Sequence, residues 1–127
     1  THSKSCYRRQ TIQTKLYDLS KLVSISRGDY TFIKKVLGIF IEHTPSAIQE
    51  IKLTASRGDF ETMGKVAHRI KPSLDNLGIK TMFQVIRDIE NYDGAMGDVS
   101  ALSDKILQLE ETVLAVIDHI KVNVLKE

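Results

Sequence analysis

From Leu19 to Val124 the apolar residues recur in steps of three and four. Nowhere do they alternate with the period of two that a half-buried strand requires. That pattern confines the chain to helices packed on helices. Two prolines, seven glycines, no tryptophan and 6% aromatic residues agree with it, because a sandwich of many strands needs more turn residues. At 127 residues, with 42% hydrophobic and 27% charged, the chain can bury one domain core without disulfides or metal.

Residues 1–15 are polar and aperiodic and read as a linker or tail, leaving 16–127 for the folded unit. Asp18 can cap a short helix carrying Leu19, Leu22 and Val23. Asp29 opens a second, whose apolar face is Tyr30, Ile33, Val36, Leu37, Phe40 and Ile41. Thr44-Pro45 is expected to end it and start a third helix carrying Ala47, Ile48, Ile51 and Ala55, since threonine caps and proline suits a first helical position. The segment Ser26-Arg27-Gly28-Asp29-Tyr30 is echoed by Ser56-Arg57-Gly58-Asp59-Phe60. In each, glycine can leave one helix and aspartate can cap the next.

A fourth helix is expected from about Phe60 to Asn76 with Gly78 as its stop, and a fifth near Lys80 to Tyr92. The loop Asp93-Gly94-Ala95-Met96-Gly97 then leads to the longest helix. There Val99, Leu102, Ile106, Leu109, Val113, Val116, Ile120 and Val124 form a heptad seam, widened by Leu107, Leu114 and Ile117. The expected architecture is all-α: an antiparallel four-helix bundle with a short additional N-terminal helix.

Several function classes fall away. A net charge of +2 with dispersed lysines does not suit nucleic acid. No apolar run approaches the ~20 residues of a membrane span. Thr1-His2-Ser3-Lys4-Ser5 lacks the apolar centre of a signal peptide and an initiator methionine, which points to a segment of a longer polypeptide, although tag removal looks the same. Cys6 is alone, with neither a disulfide partner nor metal-ligand companions, as in a reducing compartment. His2, His43, His68 and His119 have no metal-ligand spacing.

On the fourth helix Met63, Ala67, Ile70, Leu74 and Leu77 form one stripe, and His68 falls about 140° from its centre, toward solvent. One turn back, Gly64 costs about 1 kcal/mol in helix propensity and clears space against the histidine. One turn on lie Lys71, which can set an ammonium beside the imidazole, and Pro72, which costs about 3 kcal/mol and deletes the bond to the His68 carbonyl. Two unfavourable helix residues thus flank an exposed histidine with an adjacent cation. A solvated histidine with chance neighbours gives the same spacing.

The stretch Ala67-His68-Arg69-Ile70-Lys71-Pro72-Ser73-Leu74-Asp75-Asn76-Leu77-Gly78 resembles the signature of histidine phosphotransfer (HPt) domains. That signature is Ala-His, an apolar residue and lysine, then glycine and a small residue, and Leu-Gly a few places later. The resemblance runs from about Leu19 to Tyr92 and takes in the Gly-Asp-aromatic helix start, Phe40, Pro45 and Gly58-Asp59. It implies a phosphoryl carrier with His68 as the phosphorylated residue and Lys71 as the lysine that stabilises phosphoryl charge. Pro72 departs from the family's glycine, which admits a partner's active site.

The resemblance further implies reversible exchange with the aspartate of response-regulator receiver domains. A receiver would dock around Gly64, Lys65, Arg69, Pro72, Asp75 and Asn76. The carrier would have no ATP site and no cofactor of its own, the Mg²⁺ being held by the receiver. The expected setting is a monomeric, cytoplasmic module, either free-standing or, as the missing methionine and polar N-terminal segment favour, part of a hybrid sensor histidine kinase. Imidazole near neutral pH keeps one nitrogen unprotonated and needs no dedicated base.

Two other readings stand beside it. Glu42-His43-Thr44-Pro45 has some likeness to a histidine kinase dimerisation domain, but His43 nearly abuts the proline, at what reads as a fraying helix end, and no glycine-rich nucleotide loop is present. A non-catalytic interaction module dimerising through the last helix would show the same heptad seam.

Overall fold

The computed structural model describes residues 16–94 and 99–123; the expected tail at 1–15, most of the loop before the last helix and Val124 lie outside these. Among the described residues there are five α-helices: α1 (Ser20–Ser26), α2 (Tyr30–Ser56), α3 (Phe60–Asn76), α4 (Phe83–Asn91) and α5 (Val99–Asn123). A 3-10 turn, Lys80–Met82, leads into α4, so the helix expected from Lys80 begins as a tighter turn. α2 packs against α3 and α5, and α4 closes the ring against α3 and α5. The class is all-α, four helices around one core, with α1 added on α2.

The echoed segments do the same work twice. Gly28 and Gly58 adopt φ of +79° and +73°, a left-handed conformation that glycine enters without steric cost. Asp29 then accepts hydrogen bonds from the amides of Thr31 and Phe32, and Asp59 accepts one from Thr62.

The break expected at Thr44-Pro45 does not occur. α2 runs unbroken for 27 residues with Pro45 inside it. Its buried stripe, Ile33, Leu37, Phe40, Thr44, Ala47, Ile48 and Ile51, passes straight through the proline. A proline costs a helix about 3 kcal/mol. Each large apolar side chain kept on a continuous stripe returns about 1.5–3 kcal/mol, so packing prevails. Thr44 is buried rather than capping, and His43 sits mid-helix and exposed rather than at a frayed end.

In α5 the seam residues Leu102, Ile106, Leu109, Val113, Val116 and Ile120 are buried, together with Ile117. Val99, Leu107 and Leu114, expected to share that face, are exposed at 59%, 51% and 50%. Among the described residues only α2 and α4 cover this helix substantially, so residues outside the stripe they share are exposed.

A short N-terminal strap fastens the bundle near the foot of α3. The Asp18 amide donates to the Leu77 carbonyl at 2.9 Å, and Lys21 pairs with Asp75. Gly78, at φ +62°, lies so close beneath the Asp18 backbone that a Cβ would collide with it. Tyr17 is buried, its hydroxyl 2.6 Å from Nδ1 of His119 on α5. Among the described residues no helix is long and apolar enough to cross a membrane.

Candidate functional site

Helix α3 buries Met63, Val66, Ala67, Ile70 and Leu74, and this orients the opposite face outward. His68 stands on that outer face with 71% of its side chain exposed. Pro72 does not end the helix, which continues to Asn76. Lacking an N–H, Pro72 still leaves the His68 carbonyl without its helical donor.

The residue that organises the site comes from another helix. Glu90 of α4 places Oε2 at 2.6 Å from Nδ1 of His68 and Oε1 at 2.6 Å from Nζ of Lys71. Its side chain is only 18% exposed. The Lys71 ammonium, hydrogen-bonded to it, holds the Glu90 carboxyl below the usual carboxylate range; partial burial opposes this, and the hydrogen bond to His68 adds to the lowering. An ionised carboxylate can only accept. Nδ1 of His68 therefore carries the proton in this contact. Nε2 has no partner among the described residues and, in the neutral ring, keeps its lone pair.

Gly64 uses its missing side chain differently from the expectation. The space it leaves is taken by the backbone of α4, for a Cβ there would come within 2.7 Å of the Glu90 carbonyl oxygen. The glycine is buried and lets α3 and α4 approach closely enough for Glu90 to reach His68 and Lys71. Lys65 and Arg69 are exposed and pair with Glu61 and Glu50; Pro72 and Asp75 are exposed, and Asn76 is half-buried.

His68 lines two grooves between α3 and α4. One is formed with Phe60, Gly64, Lys65, Glu90 and Tyr92, where the Phe60 and Tyr92 rings meet edge to face at 4.8 Å. The other is formed with Lys71, Pro72, Asp75, Phe83 and Arg87. Sequence reasoning missed Glu90, Phe83 and Arg87 as site residues. The available signal was Glu90 one turn beyond Ile86, an acid on the margin of an apolar stripe. Among the described residues no three His, Cys, Asp or Glu side chains gather as metal ligands.

The arrangement offers a nucleophilic nitrogen to solvent, a carboxylate behind it and an ammonium beside it. The Hpt domain family model matches residues 35–119, well over half of the chain and including His68, Lys71 and Glu90. Neither curated proteins nor solved structures give a match. The helical ring, the outward histidine and the extent of the family match lead to one assignment: the chain belongs to the Hpt domain family, the histidine phosphotransfer carriers of two-component phosphorelays.

Proposed function

We propose that His68 is the phosphorylated residue and that it exchanges its phosphoryl group with the aspartate of a response-regulator receiver domain. The observation that carries this reading is the exposed imidazole whose Nδ1 is held by Glu90 while Nε2 is left without a protein partner. In the forward step the Nε2 lone pair attacks the phosphorus of an aspartyl phosphate. The N–P bond forms as the P–O bond to the aspartate breaks, and the aspartate departs as carboxylate with that electron pair. The ring becomes a phosphorylated imidazolium still protonated at Nδ1, and Glu90 lies against the new positive charge. Reversal returns the phosphoryl group to the aspartate.

Phosphoryl transfer rests on positioning and charge neutralisation more than on covalent machinery. Lys71 supplies one cation, and Mg²⁺ held by the receiver would supply more. The docking surface would comprise Lys65, Arg69, Pro72, Asp75 and Asn76, with Gly64 lining the groove. A carrier without a nucleotide site draws on a kinase, so the proposed setting is a module of a hybrid sensor histidine kinase on the cytoplasmic side. The α5 seam residues from Leu102 to Ile120 are buried against the bundle, which favours a monomer over a dimer built on that helix.

The test is incubation of the chain with a labelled, phosphorylated receiver. His68→Gln should lose phosphate acceptance, read as acid-labile, base-stable label, while keeping its helical spectrum. Acceptance by that variant would end the assignment. Lys71→Ala should slow transfer, and an unchanged rate removes Lys71 from the mechanism.

A further inference from the structure

The cations around the histidine are nearly all engaged. Lys21 is paired with Asp75, Lys65 with Glu61, Arg69 with Glu50, and Lys71 with Glu90. Arg87 differs: it is exposed and has no hydrogen-bond or ion-pair partner among the described residues. It nonetheless lines the same groove as His68, Lys71, Pro72, Asp75 and Phe83. The register explains why. Phe83, Arg87 and Glu90 lie at i, i+4 and i+7 on α4, one stripe that faces His68, Lys71 and Asp75 at i, i+3 and i+7 on α3. Glu90 meets His68 and Lys71, so Arg87, one turn earlier, stands at the level of Lys71 and Pro72.

We infer that Arg87 is a further phosphoryl-binding residue, its guanidinium taking the phosphoryl oxygens once His68 is phosphorylated. This rests on the reading of His68 given above. Lys71 already gives one of its donors to the carboxylate that holds the ring, which offsets part of its charge. Arg87 has no such contact. Its planar fork of donors matches phosphate geometry, which a lysine does not. Pro72 and Phe83 add apolar surface to the groove.

The test uses the full chain phosphorylated by phosphoramidate, which passes on its phosphoryl group and leaves as ammonia, so that no partner protein is involved. Mass spectrometry first locates the phosphate. A ³¹P NMR titration then gives the midpoint of the phosphoryl group's last ionisation. A unit positive charge a few ångströms away in a water-like dielectric lowers that midpoint by about half a pH unit. Arg87→Ala should raise it by about that amount, and Arg87→Lys should recover most of the difference. Lys71, Asp75 and Glu90, with Glu61, Lys65 and Asp93 of the adjacent groove, stay in place in both variants, so the change reports residue 87. An unchanged midpoint in a folded Arg87→Ala protein overturns the inference and leaves His68 as carrier. Absence of phosphate on wild-type His68 overturns the parent reading and this one together.

Discussion

Gly64 and Glu90 meet backbone to backbone, with no room between them for a methyl group. This contact sets the spacing of α3 and α4, and the spacing sets whether the Glu90 carboxylate reaches His68 at 2.6 Å.

Gly64→Ala therefore trades a helix-propensity gain of about 1 kcal/mol against a clash with main chain that cannot rotate away. Overpacking of this kind costs about 1–3 kcal/mol, so a net loss of stability is expected, together with slower phosphate acceptance. Gly38→Ala is the control, since nothing lies within 4 Å of its Cβ position within α2. That variant should gain about 0.5–1 kcal/mol. Denaturant unfolding of both checks the pair, and equal gains would refute the close-approach role of Gly64.

Glu90→Gln keeps an acceptor for Nδ1 but removes the negative charge beside the ring. Hydrogen bonds to charged groups are worth about 1.5–3 kcal/mol, so acceptance should slow about tenfold or more. Single-turnover transfer from a phosphorylated receiver measures this. Wild-type rates in the variant would leave Glu90 with a packing role alone.

The same carboxylate predicts an acid response. Lys71 first, and His68 after it, hold the Glu90 pKa below its ordinary 4.5. A group depressed by folding contributes stability that is complete above its unfolded value and is lost as pH falls through the folded one. A carboxyl ¹³C titration of Glu90 should give a midpoint below 4.5, and Lys71→Ala should move it upward. Identical midpoints in the two proteins would show that the ammonium contact does not persist in solution.

Tyr17 predicts the alkaline limb. Burial pushes its phenol up from 10.0 to about 12. A raised folded-state value adds stability that is full below pH 10 and declines as pH climbs toward 12, because the unfolded chain gives up the proton first. Unfolding free energy measured across that range should fall. In Tyr17→Phe, which cannot ionise, this part of the decline should disappear.

How much was legible beforehand follows from the range of each interaction. The span of α3 and the two Gly-Asp helix starts are local matters of capping and turn residues, and they stood in the sequence. Pro45 misled because a local penalty was weighed without the stripe that crosses it. Leu107 and Leu114 misled because a periodic pattern shows which residues share a face, not how much of that face neighbours cover. The outward direction of His68 followed from helical angles. Its partner Glu90 lies 22 residues further along, on a helix whose placement no periodicity records.

Because the carboxylate arrives from a second helix, the acceptor is a property of tertiary structure. A peptide cut from residues 60–78 would still carry the ring and the ammonium, yet nothing would select which nitrogen stays open. Unfolded or half-made copies of the chain should then be poor competitors for activated phosphate, so the relay would hear only finished molecules.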